Sequence, residues 1–280
     1  MQIDGNTQLV GIIASPIAHV RTPQLFNAAV ARQGLNAVCV PLHVDAAQLP
    51  AFLAGAQAPH NLLGLVVTIP HKEAVVAACG ELTDTARLVG SVNAMRFDRT
   101  KGHWVGANFD GDGFVAGLRE RGHTISGKRV LQVGAGGAGK SMAYAIARER
   151  PAELVIHNRS ASKAAELAAQ LKKALLDVSI RSGDNNPADF DIVVNATALG
   201  LHDGDAIPVQ AELLSAGTLV CEAVVRDEDT SLLKTAREHG CPVHHGQWML
   251  YGQIVEIARF LEVPLEPQYV ERMLGPFDDR

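Results

Sequence analysis

The pattern GAGGAG at residues 134–139 constrains the fold of this 280-residue chain more than any other feature. It follows the apolar run RVLQV and precedes the stretch SMAYAIARER, so the order strand, glycine turn, helix is predicted. Gly134 suits a tight turn, Gly136 lets the backbone approach a pyrophosphate, and Gly139 allows close packing of helix on strand. The arrangement predicts an anion site at a helix N-terminus.

This segment is open to two interpretations, because its extension GAGGAGKS also satisfies the phosphate-binding loop pattern G-x-x-x-x-G-K-[ST]. In that interpretation Lys140 would hold phosphates and Ser141 would bind magnesium, as in a phosphotransferase. The second strand, ELVIHN, ends without the Asp or Glu that accepts from the ribose 2′-hydroxyl in NAD sites. Arg159 and Lys163 follow it instead. They could pair with a 2′-phosphate, which favours NADP over NAD, or could simply form an exposed helix start.

Alternating apolar runs and helical stretches indicate an α/β protein. Strands are predicted at QLVGIIA, AVCVPLHV and LLGLVVTI, in a mainly parallel sheet. In the helix after the first strand, Thr22 is expected as N-cap, Pro23 as first helical residue and Gly34 as the stop. Later strands at RVLQV, ELVIHN, DIVVNAT and TLVCEAV predict a doubly wound Rossmann domain for a dinucleotide.

Domain boundaries follow from these two sets of strands. We expect an N-terminal substrate-binding α/β domain at residues 1–105 and a Rossmann domain at residues 106–246. After Gly246 the pattern is helical, and a parallel sheet does not end in two helices of its own. Residues 247–280 are therefore expected to return to the first domain and complete it.

Composition narrows the function further. The net charge of −5 gives no broad basic surface for nucleic acid, and 47% hydrophobic with 20% charged residues is typical of globular proteins. No apolar run approaches the roughly 18 residues that span a bilayer, and the N-terminal segment does not resemble a signal peptide. The four cysteines form no C-x-x-C pair, so neither a zinc site nor a disulfide framework is expected. We predict a cytoplasmic monomer or homodimer with a small-molecule substrate and no nucleic-acid, membrane or metal partner.

Polar side chains follow apolar runs in three segments before the glycine turn, where open α/β sheets bind ligands. These segments and five others match a set of motifs in order and spacing: Val66–Lys72, Gly90–Ala94, Asn108–Gly113, Pro16–Pro23, Gly134–Ala138, Asn158–Ser160, Asn195–Gly200 and Met249–Gln253. The set resembles that of the shikimate/quinate dehydrogenase family. The resemblance covers nearly the whole chain, and the number of motifs in one order makes it specific.

The resemblance implies an NAD(P)-dependent alcohol dehydrogenase that interconverts a ring secondary alcohol and its ketone, as in the 3-dehydroshikimate/shikimate reaction of aromatic amino acid biosynthesis. It implies that Lys72 transfers the hydroxyl proton and that Asp110 hydrogen-bonds the substrate and the lysine. Such an oxidation must lose the hydroxyl proton as the hydride leaves, and a positioned lysine can accept it. The implied substrate-binding residues are Thr22, Thr68, Asn93 and Gln253. The expected cofactor-binding residues are Gly134, Gly136, Gly137, Ala138, Gly139, Asn158, Arg159, Lys163, Asn195, Thr197 and Gly246.

The chain departs from the family around the substrate. Two family serines that hold the substrate carboxylate are Val20 and Thr22 here, and an asparagine that holds a ring hydroxyl is Val66. A family tyrosine is Val225, and a threonine is Phe109. With the lysine, the aspartate and the asparagine of the second motif retained, these changes predict the same reaction on an altered substrate, with shikimate a poor one. A ring without the usual polar groups, or a non-catalytic dinucleotide-binding regulatory protein, are the alternatives.

Overall fold

The structure is a computed structural model that describes residues 2–18, 20–226 and 228–271. The chain divides into two compact units. The first runs to Phe109 and resumes at Gln253, and the second spans Asp110–Gly252. The sequence places these divisions a few residues earlier, at 105/106 and 246/247, and residues 272–280 of its expected C-terminal segment lie outside the described residues.

The first unit is built on a mixed sheet. Its elements up to Phe109 are β1 (Gln8–Ala14), α1 (Thr22–Gln33), β2 (Ala37–His43), α2 (Leu49–Gly55), β3 (Leu62–Val67), β4 (Cys79–Leu82), α3 (Asp84–Val89), β5 (Ala94–Asp98) and β6 (His103–Ala107). The strand order is β2-β1-β3-β5-β6-β4. β1 pairs in parallel with β2 and β3, while β5 runs antiparallel to both β3 and β6. Since β6 pairs with β5 along its whole length, a boundary at 105/106 would cut through this sheet.

The first helix begins one residue before the expected position. Arg21 is the N-cap of α1 and has backbone angles of −106° and −15°, which are already helical, so Thr22 is the first helical residue. The expectation that Thr22 caps this helix is therefore wrong. Gly34 ends the helix in the left-handed conformation, with φ 75°, as expected.

The segment from Gln253 to Glu271 packs within the first unit. Gln33, at the end of α1, donates from its side chain to the Pro264 carbonyl over 2.7 Å. The same carboxamide accepts from the Glu266 backbone N–H over 2.8 Å. One side chain thus fixes both sides of the loop that enters the last described helix.

The second unit is a doubly wound sheet. The elements from Asp110 onward are α4 (Asp110–Glu120), β7 (Arg129–Val133), α5 (Gly137–Arg148), β8 (Glu153–His157), α6 (Ala161–Ala174), β9 (Ile180–Ser182), β10 (Ile192–Asn195), β11 (Leu219–Glu222), α7 (Ser231–Glu238), β12 (Val243–His244), α8 (Gly246–Phe260) and α9 (Pro267–Glu271). Its strands are all parallel, in the order β12-β11-β10-β7-β8-β9. The direction of winding reverses between β7 and β10, and open α/β sheets bind ligands at that point. The Rossmann prediction is confirmed.

The division between the units falls inside α8, after Gly252. In the described ranges, no helix is both long and apolar enough to cross a lipid bilayer.

Candidate functional site

The glycine turn lies at the carboxyl end of β7, beside the reversal of the sheet. Gly134 has φ 115°, a conformation that side chains disfavour, and a Cβ there would lie 2.7 Å from the Ala196 carbonyl carbon. A Cβ on Gly139 would overlap the Gly134 carbonyl oxygen. Around Gly136, in contrast, a Cβ would meet nothing within 4 Å. Gly134 and Gly139 are therefore required by the fold, whereas Gly136 borders open space.

Two amide side chains brace this turn. Gln132 is fully buried in β7 and donates to the carbonyls of Gly134 and Gly139 over 2.9 and 2.8 Å. Asn158, just after β8, accepts from the Ala135 N–H over 3.1 Å and donates to the Ser160 carbonyl over 3.1 Å. Sequence reasoning assigned Asn158 to the cofactor and missed Gln132, whose signal was a polar residue inside an apolar strand.

Helix α5 begins at this turn and offers an anion site. Its N-cap residue, Gly136, has no side chain to accept from the first N–H groups of the helix. These N–H groups and the positive end of the helix dipole favour a phosphate.

A cleft of about 740 Å³ in the second unit opens beside the turn. Arg159 and Lys163 are exposed on one part of its wall, and no described carboxylate forms an ion pair with either. The segment after β10 forms another part. The lining residues are Val133, Ala135, Gly136, His157, Asn158, Arg159, Ser160, Lys163, Thr197, Ala198, Leu199, Leu201, His202, Asp205, Ile207 and Pro208. The cleft therefore combines an anion site with two cations and an apolar wall.

The phosphate-binding loop interpretation does not fit this geometry. Ser141, its magnesium ligand, is fully buried, and its hydroxyl accepts from the Gly111 N–H of α4 over 2.9 Å. Neither Ser141 nor Lys140 lines the cleft. The serine joins two helices of the second unit, which argues against a phosphotransferase.

Hydrogen bonds from a buried side chain hold the turn after β10 in place. Asn195 is fully buried, and its carboxamide oxygen accepts from both the backbone N–H and the hydroxyl of Thr197, over 3.0 and 2.7 Å. Its NH₂ group donates to the Leu199 carbonyl over 2.9 Å and to the Glu222 carboxylate over 2.8 Å. Thr197 and Leu199 reach the cleft, whereas the Asn195 side chain supports the turn that carries them.

In the first unit, two of the motif segments run side by side. The Lys72 carbonyl accepts from the Val92 N–H, and the Asn93 carbonyl accepts from the Val67 N–H, each over 2.8 Å. The buried Asn93 side chain also accepts from the Phe109 N–H over 2.9 Å. These bonds bring Lys72, Thr68 and Asn93 to adjoining segments at the carboxyl end of β3.

His71, next to Lys72 in the chain, has a structural role. It is buried, and its Nε2 donates to the Val44 carbonyl over 2.6 Å. This bond ties the segment after β3 to the segment after β2. The neighbouring lysine is half-buried and therefore keeps partial access to solvent.

The remaining expected site residues are distributed over both units. In the first unit, Thr22 is half-buried at the start of α1 and Gln253 is half-buried on α8. In the second unit, Asp110 is buried at the start of α4, and Gly246 is buried at the start of α8, where a Cβ would overlap the Val224 carbonyl oxygen. Their assignment to substrate or cofactor stays a prediction.

Comparison with known protein families matches both units. A model described as the shikimate dehydrogenase substrate binding domain matches residues 12–95, and one described as shikimate / quinate 5-dehydrogenase matches residues 118–201. The shikimate dehydrogenase (NADP(+)) of Rubrobacter xylanophilus is 41% identical over 262 residues, which cover 92% of each chain. That of Symbiobacterium thermophilum is 38% identical and covers 89% of this chain and 87% of its own.

Solved structures are similar over nearly the whole chain. Shikimate 5-dehydrogenase from Listeria monocytogenes, in complex with shikimate and NAD, superposes with a TM-score of 0.88 at 29% identity and covers 98% of both chains. The 5-ketofructose reductase of Gluconobacter sp. strain CHM43 superposes with a TM-score of 0.85 at 30% identity and covers 96% of this chain and 99% of its own.

Proposed function

Because the chain belongs to the shikimate/quinate dehydrogenase family, it is an NAD(P)-dependent oxidoreductase of that type, and we propose that Lys72 and Asp110 carry its chemistry. The reaction is the interconversion of a ring secondary alcohol and its ketone. The observation that supports the assignment most is that Lys72, Thr68 and Asn93 stand on adjoining, mutually hydrogen-bonded segments of the first unit. This is the position at which an open α/β sheet presents ligand-binding side chains.

The roles follow from the chemistry. A bound nicotinamide accepts the hydride in alcohol oxidation and supplies it in ketone reduction. Lys72 removes the hydroxyl proton in the first direction and returns it to the carbonyl oxygen in the second. Asp110 is proposed to accept a hydrogen bond from the substrate, and Thr22, Thr68, Asn93 and Gln253 to bind its remaining polar groups.

The cofactor is NADP or NAD, and we propose that NADP is preferred. The glycine turn and the N-terminus of α5 suit the pyrophosphate, with Gly136 leaving space for it. Arg159 and Lys163 are two exposed cations on the wall of the same cleft, where NAD-specific sites have an acid. A planar guanidinium can grip a phosphate through two hydrogen bonds, so Arg159 should contribute more than Lys163.

One experiment tests the reaction and the cofactor together. A panel of cyclic polyols and hydroxy acids is tried with NADP⁺ and NAD⁺, and reduced cofactor is followed by absorbance. We expect turnover of an alicyclic alcohol, with a ratio of kcat/KM that favours NADP⁺. In Arg159→Ala that ratio should fall roughly 10-fold or more, since hydrogen bonds to a charged group contribute about 1.5–3 kcal/mol. Arg148→Ala, which removes an exposed cation from the other end of α5, is the matched control.

Three results would contradict the proposal. An unchanged cofactor ratio in Arg159→Ala would remove the 2′-phosphate assignment. Absence of any turnover, with both cofactors bound, would favour the regulatory alternative. A rise in melting temperature with ATP but with neither dinucleotide would favour the phosphotransferase.

A second proposal concerns the substrate: we infer that shikimate itself is a poor one. Val66 is buried at the end of β3 and Val20 is half-buried before α1, where the family has side chains that donate hydrogen bonds. The side chain of Val225, in the second unit, stands in place of a tyrosine and is 37% exposed. Valine cannot satisfy a buried carboxylate, which disfavours shikimate and favours a substrate with an apolar edge or without that carboxylate. The similar 5-ketofructose reductase is named for a substrate other than shikimate.

Restoring the family side chains tests this second proposal. Loss of two hydrogen bonds to a carboxylate should reduce kcat/KM for shikimate roughly 10²–10⁴-fold relative to an ordinary family member. The double variant Val20→Ser with Val225→Tyr should recover much of that loss. Val76→Ser, a half-buried valine of the first unit outside the motif segments, is the control. Efficient turnover of shikimate by the unchanged protein would overturn the inference.

We further propose that the enzyme acts in the cytoplasm as a monomer or homodimer. None of the four cysteines, Cys39, Cys79, Cys221 and Cys241, is in a disulfide, which agrees with a reducing compartment. Light scattering after size exclusion should give the mass of one or two chains, and a larger mass would contradict this.

A further inference from the structure

Glu222 is buried in the interior of the second unit. It lies outside the motif segments, so the sequence predicts no role for it. It is the last residue of β11 and only 1% of its surface is exposed. Carboxylates are almost never buried without a compensating function or partner. Its position at the carboxyl end of a central strand places it on the ligand-binding edge of the sheet.

The carboxylate bonds two side chains that come from different elements. One oxygen accepts from the Asn195 NH₂ group over 2.8 Å, and the other accepts from the Thr230 hydroxyl over 2.8 Å. Thr230 is also the N-cap of α7, because its hydroxyl accepts from the Leu233 N–H over 3.2 Å. Glu222 therefore connects the end of β10 to the start of α7.

The bond to Asn195 fixes the orientation of that carboxamide. Its oxygen is used by Thr197 and its nitrogen by Leu199 and Glu222. A carboxylate can only accept, so it holds the NH₂ group on its own side and the oxygen on the side of Thr197. Without this acceptor the carboxamide could rotate, and the turn would lose the donor and the acceptor that define its shape.

The turn also packs directly on Glu222. A Cβ on Gly200 would lie 3.7 Å from a Glu222 carboxylate oxygen and 3.1 Å from the Thr230 methyl group. The Gly200 N–H is held from the other side by Asp205, over 2.9 Å. Residues 197–199, which lie between Asn195 and Gly200 in the chain, line the cleft that also includes Gly136 and Arg159.

We propose that Glu222 is a positioning residue that acts through Asn195 to hold residues 196–200 in the shape that binds the dinucleotide. The inference rests on the proposed cofactor site, and the variants below separate the two. Glu222 does not line the cleft. Its effect on binding is transmitted by the carboxamide of Asn195 and by the Thr197 and Leu199 backbone.

The test measures the Kd for NADP⁺ by calorimetry and the separate KM values for cofactor and substrate. In Glu222→Ala, Asn195 loses a buried partner, and we expect Kd and cofactor KM to rise roughly 10-fold with little change in substrate KM. Glu222→Gln should retain most of the affinity, because its oxygen can accept from Asn195 while its NH₂ donates to Thr230. Asn195→Ala should weaken binding to a similar extent, and the double variant should not be additive.

Thr218, at the other end of β11 from Glu222, provides a matched control. Thr218 is buried just before β11 and donates to the Phe190 carbonyl over 3.0 Å, far along the strand from the turn. Thr218→Val should lower the melting temperature without changing the Kd for NADP⁺. If it weakens binding as much as Glu222→Ala does, loss of stability explains the effect and the inference is wrong.

Binding measurements on two variants distinguish a failure of the proposed cofactor site from a failure of the proposed role of Glu222. Gly136→Val places a side chain in the open space of the turn and should abolish binding. Unchanged binding in that variant would refute the proposed cofactor site. Lost binding there together with unchanged binding in Glu222→Ala would refute only the role of Glu222. If Glu222→Ala does not fold, Glu222→Asp and Asn195→Ala decide, and wild-type affinity in both would overturn the inference.

Discussion

In the glycine turn, Gly139 is required for the fold, whereas Gly136 is expected to be required for ligand binding. A Cβ on Gly139 would overlap a backbone oxygen that cannot move away, whereas a Cβ on Gly136 meets only open space. We expect Gly139→Ala to destabilise the second unit by about 1–3 kcal/mol, as overpacking does. Gly136→Val should melt like the wild type but fail to bind NADP⁺. Thermal unfolding with and without NADP⁺ checks both, and a stable Gly139→Ala that binds normally would contradict this division of roles.

The proposed proton transfer is the second prediction at this scale. Lys72→Ala should fold and bind NADP⁺ normally while kcat falls roughly 10²–10⁴-fold, the usual contribution of general acid–base catalysis. The exposed neighbour Glu73 provides the control, since Glu73→Ala removes a charge one position away. A kcat for Lys72→Ala close to that of Glu73→Ala would exclude the lysine from the mechanism.

The sequence predicted the residues of the turn better than their supports. Gly134, Gly136 and Gly139 could be identified because a strand, a turn and a helix follow one another directly in the chain. Gln132 left only the signal of a polar residue inside an apolar strand, and Glu222 could not be identified, since its partner Asn195 lies 27 positions away in the chain. Asn195 was identified as a cofactor-binding residue, which stays a prediction, and its buried carboxamide is hydrogen-bonded within the turn after β10.

At the scale of the elements, Glu222 at the end of β11 makes the stability of the protein depend on pH. Burial raises the pKa of Glu222 to about 7, against hydrogen bonds from Thr230 and Asn195 that favour the charged form. His245 also acts on Glu222 electrostatically and favours its charged form, and its Nε2 lies 2.6 Å from Asp229, which is itself bound by Arg237. The folded state therefore binds a proton that the unfolded state has lost between about pH 4.5 and pH 7.

The sign of the effect follows from this order of pKa values. The stabilising contribution of the protonated carboxyl group is complete below about pH 4.5 and is lost as the pH rises through about 7. Glu222→Gln stays neutral, so its free energy of unfolding relative to the wild type should increase over that range by about 2–4 kcal/mol and then level off. Melting temperatures of both proteins from pH 4.5 to pH 8.5 check this, with Thr218→Val as a variant whose difference from the wild type should not follow pH. Parallel curves for Glu222→Gln and the wild type would contradict it.

Elements were predictable in proportion to the length of their apolar pattern. The strands β1, β2, β3, β7 and β8 are predominantly apolar runs, and each was located from the sequence. The antiparallel pairing of β5 was not, because a short strand with charged residues carries no signal of its direction. The strands β9 and β12 were missed because they are too short: three and two residues cannot show a periodic pattern.

For the molecule as a whole, the first unit depends on residues from both ends of its sequence. The Gln33 carboxamide makes two hydrogen bonds across 231 and 233 positions of the chain. Gln33→Ala should cost about 1–3 kcal/mol for the pair and accelerate hydrogen exchange in α9. Gln24→Ala, an exposed glutamine of the same helix, should do neither. Equal exchange rates in the two variants would show that apolar packing alone holds α9.

The interrupted first unit has a consequence for how the protein is made. A ribosome adds roughly 5–20 residues per second, so about 12–45 seconds pass between synthesis of Gln33 and of Pro264. The second unit, which lies between them in the chain, can complete its sheet in that interval, whereas α1 must wait for the segment around Pro264 to which Gln33 is hydrogen-bonded. The half of the protein that is translated first is thus the half that is finished last, and until then its unfinished surface is the part most exposed to chaperones and proteases.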